Sequence, residues 1–372
     1  MQLDTIETAI DAIARGELVV VVDDTDRENE GDLIMAASKA SPEKIAFMIR
    51  NTSGILCVPM TAERADQLNL APMVANNIDP LRTAFTVSVD YKVGMTTGIS
   101  ATERTATITA LANGNVAGSD FIRPGHIFPL IARKGGVLTR SGHTEAGVDL
   151  AAMAGLEPAG VLAEVVNDDG TVKRLPELIE FAKEHGLKII SIEDLIAYRI
   201  RTERFVTRVE EQAAHVQGAP AKLYSYSTEF DPLHHIVMVF GDVRAGEDIP
   251  CRIYREQPME DMVARFNGDR NWMDATVKAI DAEGGRGVVM ILRNPMGHDA
   301  SIDEHGDGEG DGKDGEKHGS ALKRQQRWRE VGVGAQILRD LGIQSIALIS
   351  TSDRQYVGLG GFGINISRTI RI

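Results

Sequence analysis

Residues 23–32 read DDTDRENEGD, six carboxylates and one arginine in ten positions, directly after the apolar run LVVVV at 18–22. Like charges at that density repel and must be solvated or held by a cation. Crowded hard oxygen donors favour Mg²⁺ or Mn²⁺, and Arg27 is suited to a phosphate or a substrate oxygen. The end of a buried strand is also where α/β proteins place ligands. Taken alone, the same residues equally make a solvated acidic turn.

Three other stretches could do chemistry. Arg140-Ser141-Gly142-His143-Thr144-Glu145 joins a guanidinium, hydroxyls and a glycine that exposes backbone N–H groups, which suits a phosphate. His143 beside them is either a metal ligand or a hydrogen-bonded side chain. In DFIRPGH (120–126), Pro-Gly predicts a tight turn presenting His126. TTGISATERTATI (96–108) reads as a hydroxyl-rich loop leading into a strand, able to hydrogen-bond a sugar or to cap a turn.

The elements that must position these residues follow from periodicity. Ile6, Ile10 and Ile13 share a helical face that Gly16 ends, and LVVVVD follows as a buried strand. Ser41-Pro42-Glu43 starts a helix that runs to Gly54. ILCVPM, FTVSVD and TATITAL read as strands, LPELIEFAKEHG as a helix, KIISI as a strand and EDLIAYRIR as a helix. Strand patterns resume after the polar stretch TERFVTRVEEQ with AKLYSYS, HHIVMVFGDV, PCRIYRE and RGVVMIL; VGAQILRDLG is a helix and SIALIS a strand. The expectation is two α/β domains, 1–203 and 204–372, the first with a mixed sheet flanked by helices. Residues 297–321, rich in Gly, Asp, Glu and His, are expected to form a mobile loop, because they lack apolar side chains to offset ordering entropy.

A net charge of −14 disfavours non-specific nucleic-acid binding. The absence of any apolar run of about eighteen residues predicts no membrane span, and no secretory leader is visible. Cys57 and Cys251 are too few for a disulfide framework or a cysteine-based zinc site, so a cytoplasmic location is expected. Cys57, in GILCVP, reads as a buried structural thiol or a neighbour of the pocket.

Taken together, DDxDRENEGD, TTGISA, Arg123–Leu130 (RPGHIFPL) and RSGHTEAGVDL (140–150) resemble, in order and spacing, 3,4-dihydroxy-2-butanone 4-phosphate synthase of riboflavin biosynthesis. The resemblance covers about residues 1–200; Glu103 stands where that family usually has Asp. It implies a lyase that converts D-ribulose 5-phosphate into 3,4-dihydroxy-2-butanone 4-phosphate and formate, using two divalent ions, Mg²⁺ or Mn²⁺, in a homodimer. Glu28 and His143 would hold the metals. Arg27, Glu28, Asp32, Arg140, Ser141, Gly142, His143, Thr144 and Glu164 would contact the sugar phosphate. Asp32, His126 and Glu164, the last in LAEVVNDDG, would handle protons.

From about residue 206 the chain resembles GTP cyclohydrolase II, in HHIVMVFGDV, CRIYREQ, EGGRGVVMILR, VGVGAQILRDLGIQSIALIS and GLGGFGINI. That family's three zinc cysteines fall here on Gln257, Gly268 and Arg270. Its Asp-x-Arg-x-Tyr-Gly reads Arg327-Trp328-Arg329-Glu330-Val331-Gly332, keeping only the arginine and the glycine. Its Thr-Asn-Asn-Pro-x-Lys reads Ser350 to Gln355, without the lysine, and its RQEGRG loop is replaced by RNPMGHDAS (293–301). The expectation is an inactive scaffold with no zinc. Two readings compete with a one-activity lyase: a bifunctional enzyme that still opens GTP through His234, His235 or loop histidines, and a regulatory binding protein.

Overall fold

The computed structural model describes residues 3–24, 27–229, 232–244, 246–267, 272–293, 318–351 and 364–372. Two compact units divide between Arg199 and Ile200.

The first unit is built on a seven-stranded mixed sheet. Its helices are α1 (Ile6–Ala14), α2 (Pro42–Asn51), α3 (Ala62–Gln67), α4 (Ala101–Ala112), α5 (His143–Met153), α6 (Leu175–His185) and α7 (Ile192–Thr202), which runs on past the division. Its strands are β1 (Val19–Val22), β2 (Gly31–Ala36), β3 (Cys57–Met60), β4 (Val89–Tyr91), β5 (Phe121–Ile131), β6 (Gly160–Glu164) and β7 (Lys188–Ser191). They lie in the order β4-β5-β3-β6-β2-β1-β7, with β3/β5 and β1/β7 parallel and the other pairs antiparallel. Alternation along each strand sorts side chains to two faces. Val20, Val22, Leu33, Met35, Val58 and Met60 join one core with Ile45, Met48, Ile108, Leu111 and Leu178 of α2, α4 and α6. The opposite face receives α1 and α5. Helix α5 approaches closely because Gly147 and Gly160 lack side chains: a Cβ on Gly147 would lie 2.9 Å from Pro59 Cγ, and one on Gly160 would lie 3.0 Å from Gly147 O.

TATITAL, expected as a strand, is helix. Ser100 and Glu103 form a capping box at the start of α4, and Thr105, Thr107 and Thr109 turn their hydroxyls back to the carbonyls of Ala101, Glu103 and Thr105. That local bonding removes the penalty that led β-branched residues to be read as strand. The tight turn expected at Pro124-Gly125 is a stretch of β5 instead.

The second unit carries β8 (Val206–Val216), β9 (Ala219–Thr228), β10 (His235–Phe240), β11 (Ile249–Arg255), β12 (Gly287–Leu292), β13 (Ser345–Ser350) and β14 (Asn365–Arg371). Its sheet order is β14-β13-β11-β12-β10-β9-β8, with helices α8 (Pro258–Asn267), α9 (Trp272–Ala282) and α10 (His318–Asp340), of which residues up to Gln325 group with the first unit. β8 occupies the stretch read as polar spacer; it is the edge strand and residues 207–213 are exposed on both faces, which explains the polarity. Helix α10 begins at His318, inside the segment expected to be a mobile loop. The rest of that loop, RNPMGHDAS beyond Arg293, Gly268, Arg270 and residues 352–355 lie outside the described residues. Among the described residues, no helix is long and apolar enough to cross a membrane.

Candidate active site

The acidic loop leaves β1 through Asp23, whose buried carboxylate organises it. Oδ1 accepts the Glu30 N–H (2.9 Å), and Oδ2 accepts the Glu28 N–H (3.0 Å) and Arg27 Nη1 (2.9 Å). Arg27 Nη1 also lies 2.9 Å from Glu28 Oε1. Asn29, at φ 55°, closes the turn, and Arg174 Nη1 donates to the carbonyls of Glu28 (2.8 Å) and Asn29 (2.5 Å). The loop is therefore a held structure, with Arg27 largely buried in it.

Strand pairing brings the next groups together. Asp32 on β2 stands directly opposite Glu164 on β6. His143, the first residue of α5, is buried above this row, and its Nε2 lies 3.1 Å from the Val21 carbonyl. A carbonyl only accepts, so Nε2 carries the proton and Nδ1 faces the carboxylates: Glu28 Oε2 at 3.5 Å and Asp32 Oδ1 at 3.9 Å. Backbone anchoring of the far ring nitrogen is how proteins orient metal-binding histidines. Burial opposes the charge on His143, but Asp32, Glu28 and Asp23 outweigh it and push its pKa up to about 10. Burial also opposes the charge on Glu28, yet the hydrogen bond from His143 and the charges of His143, Arg27 and Arg140 hold it down at about 2. Asp32 moves the other way: burial, reinforced by Glu164, Glu28 and Asp23, raises its carboxyl well above the usual range.

Ligand atoms of Asp23, Glu28 and His143 lie within 4.8 Å of one another, and the buried Asp32 Oδ1 has no hydrogen-bond partner. Buried, closely spaced oxygens with one orphaned acceptor fit a hard divalent cation. Cys57 is buried in the same region. Burial, with Glu164 and Asp32 adding to it, raises its thiol pKa, so it is an uncharged neighbour rather than a nucleophile.

The predicted cradle forms the N-terminus of α5. Gly142 precedes the helix with no side-chain cap, and the first intrahelical bond runs from the Ala146 N–H to the Gly142 carbonyl (3.0 Å). The N–H groups of residues 143–145 thus point out of the helix start, where anions bind. Arg140 gives Nη1 to Glu145 Oε2 (2.7 Å), Nε and Nη2 to the Leu81 carbonyl (3.3 and 3.2 Å) and Nη2 to Thr83 Oγ1 (3.2 Å). One Nη1 hydrogen remains for a ligand. A Cβ on Gly142 would stand 2.3 Å from Arg140 Nη1, so a larger residue there would displace the guanidinium. Ser141 and Thr144 are buried beside it.

Glu164 receives the Ser53 hydroxyl at 2.7 Å. His126 stands apart from the cluster within one chain. It lies on the same cross-strand row as Glu164 and Asp32, but on β5, three strands from β2. At roughly 4.8 Å per strand, that is on the order of 14 Å. Three contributors went unread in the sequence. Asp23 sits in the quoted acidic run but was not separated from it; Asp90 and Glu145 act through contacts 36 and 5 residues away along the chain. A carboxylate beside each predicted cation or imidazole was the available signal; Asp23 and Glu145 lay within their motifs and Asp90 did not.

Residues 7–198 match the family described as 3,4-dihydroxy-2-butanone 4-phosphate synthase, and residues 207–371 match GTP cyclohydrolase II. Riboflavin biosynthesis protein RibBA of Nocardia farcinica is 44% identical, covering 99% of this chain and 90% of that protein. The crystal structure of RibBX from A. baumannii, a two-domain 3,4-dihydroxy-2-butanone 4-phosphate synthase, superposes with TM-score 0.75 at 34% identity, covering 99% of both chains. A 3,4-dihydroxy-2-butanone 4-phosphate synthase in complex with two magnesium ions aligns with 54% of this chain and 98% of its own, at 45% identity and TM-score 0.53. These likenesses put the chain among the two-domain α/β lyases of riboflavin biosynthesis. It belongs to the 3,4-dihydroxy-2-butanone 4-phosphate synthase family and carries a GTP cyclohydrolase II-like region after the synthase region.

Proposed function

We propose that the first domain, to about residue 203, converts D-ribulose 5-phosphate into 3,4-dihydroxy-2-butanone 4-phosphate and formate. The observation that carries this reading is the approach of Asp23, Glu28 and His143 within 4.8 Å, beside the orphaned Asp32 Oδ1. Glu28 and His143 Nδ1 would hold two divalent ions, Mg²⁺ or Mn²⁺, and the relative solved with two magnesium ions supports this. Such ions stabilise the oxyanion that develops when a proton leaves the carbon next to a ketone. Arg140 and the N–H groups at the start of α5, with Ser141, Gly142 and Thr144, hold the phosphate. Arg27 fixes the near side of Glu28. Asp32, whose carboxyl pKa burial raises well above the usual range, and Glu164 move protons between the substrate's carbons and oxygens.

His126 completes the set from a second copy of the chain. Its distance from Asp32 and the exposure of Ile55, Ile99 and Ile122 support a shared site in a homodimer. Neither nucleic acid nor membrane enters this cytoplasmic reaction.

The second domain, from about 204, is proposed not to open GTP. At the first thiolate position, Gln257 gives its N–H to Asp261 Oδ2 (3.1 Å), and that same carboxylate takes the Tyr254 hydroxyl. This hydrogen-bonded cap on α8 stands where a zinc thiolate is needed. Val331 stands at the position of the missing tyrosine and has no hydroxyl, and its neighbour Glu330 pairs with Arg255 at 2.6 Å. The match to GTP cyclohydrolase II supports the opposing reading, and pyrophosphate release from GTP together with bound zinc would establish it.

The test is formate release from ribulose 5-phosphate with Mg²⁺. Wild-type protein should turn over and stop when the metal is chelated. Glu28→Gln should lose more than about 100-fold while the protein stays folded, as read by circular dichroism. Near-normal turnover of that variant would refute the metal role.

A further inference from the structure

The acidic loop is polarised across its backbone. On one side its N–H groups face a carboxylate, since Asp23 takes those of Glu28 and Glu30. On the other side its carbonyls face a guanidinium: Arg174 Nη1 lies 2.8 Å from Glu28 O and 2.5 Å from Asn29 O. Nη1 carries two hydrogens, one for each carbonyl. The peptide between Asn29 and Glu30 is therefore held at both ends, its carbonyl by Arg174 and its N–H by Asp23. Asn29 makes this possible. At φ 55° its backbone is left-handed, which turns successive carbonyls to one side, and asparagine tolerates that region.

Arg174 is itself fixed. It directly precedes α6, and Glu177 Oε2 accepts its N–H at 3.0 Å while Glu177 Oε1 accepts from Asn167 Nδ2 at 3.2 Å. The chain reaches it by folding back right after Glu164. The Val165 N–H bonds the Gly31 carbonyl (2.9 Å), Val166 bridges Val172, and the Lys173 N–H returns to the Val165 carbonyl (3.0 Å). The loop's exit is seated on the same helix, since a Cβ on Gly31 would stand 2.5 Å from Leu178 Cδ1. Arg174 engages the backbone closely, whereas its ion pair with Glu30, at 4.0 Å, is long.

We propose that Arg174 is a positioning residue of the divalent-metal site, clasping the backbone of Glu28 and Asn29 so that the Glu28 carboxylate is in place before the cation arrives. The inference rests on reading Glu28 as a metal ligand. Arg174 acts on a cation in two opposing ways. Its charge repels the ion, while its hydrogen bonds remove conformations of Glu28 that could not bind one. Loss of the side chain therefore tightens metal binding if charge dominates and weakens it if position does. The sign decides.

The experiment is a Mn²⁺ titration of the whole chain after chelation and dialysis, with free Mn²⁺ read by electron paramagnetic resonance. Glu28→Gln is measured first; binding as tight as that of the wild type would remove the metal reading and this proposal with it. Arg174→Met keeps a long side chain but no donors. It should raise the Mn²⁺ dissociation constant about tenfold, as loss of a group that orients a metal ligand does. The Mg²⁺ concentration for half-maximal formate release should rise in parallel, while KM for ribulose 5-phosphate at saturating metal stays within about threefold. Arg174→Lys keeps the charge and reaches one carbonyl, so it should weaken Mn²⁺ binding about threefold; it carries the test if circular dichroism shows Arg174→Met unfolded. Lys173→Met removes a neighbouring charge whose Nζ bonds Asn167 Oδ1 at 2.6 Å, and it should leave Mn²⁺ affinity within about twofold. If Glu28→Gln loses Mn²⁺ while the Arg174 variant binds it as tightly as the wild type or more tightly, or if Lys173→Met weakens binding as much, Arg174 does not act through the position of Glu28 and the proposal fails.

Discussion

His143 and the carboxylates around it are balanced only when the ring carries a proton or a cation takes its place. In the metal-free protein, the folded-state pKa of His143 is raised from 6.5 to about 10. The stability this contributes is complete below 6.5 and is lost as pH rises through about 10. Glu28, lowered from 4.5 to about 2, contributes stability that is present above 4.5 and lost as pH falls toward 2. The melting temperature of chelated protein is therefore expected to decline as pH rises from neutrality toward 10. A flat profile there would show that the ring is already neutral. Glu145 is the other decisive carboxylate. It is buried, and besides Arg140 it accepts the Arg133 N–H at 2.9 Å. Glu145→Gln should raise KM for the sugar phosphate about tenfold with little change in kcat, because it loosens a group that binds phosphate equally in ground and transition states. Steady-state kinetics checks this.

At the level of elements, the site depends on a helix start and two strand ends meeting on one face of the sheet. The buried runs LVVVV and ILCVPM, the start of α2 and the ends of α1 and α6 were legible, since apolar spacing and caps are local signals; α2 stops at Asn51, before the expected Gly54. α4 was not. Its threonines read as strand until their hydroxyls bond back to the preceding turn, an alternative that composition does not distinguish. The course of β5 was also hidden, because Pro-Gly signals a turn unless a neighbouring strand supplies partners. Gly125 shows how close that neighbour is: a Cβ there would lie 2.1 Å from the Val89 carbonyl carbon. Backbone cannot yield as a side-chain tip can, so Gly125→Ala should destabilise the first unit by about 1–3 kcal/mol in urea denaturation.

For the whole molecule, a site shared between two copies predicts complementation. Glu28→Gln and His126→Ala homodimers should each be nearly inactive. Mixed heterodimers hold one site with both defects and one with neither, so coexpression should restore a substantial fraction of formate release. No recovery in a mixed dimer shown to form would mean that each site is built within one chain.

The sequence by itself supplied the chemical groups: carboxylates, an arginine beside a glycine and two histidines in motifs long enough to assign the family, and a second half whose apolar pattern matches GTP cyclohydrolase II. Only the tertiary structure decided which of those groups meet. Strand register sets Asp32 opposite Glu164, and the start of α5 lowers His143 between Val21 and Glu28. The same sheet holds His126 three strands away and gives it Asp90 as a partner. Residue type fixes what a side chain can donate or accept, whereas distance between residues far apart in the chain is set by pairing and packing that no local pattern contains.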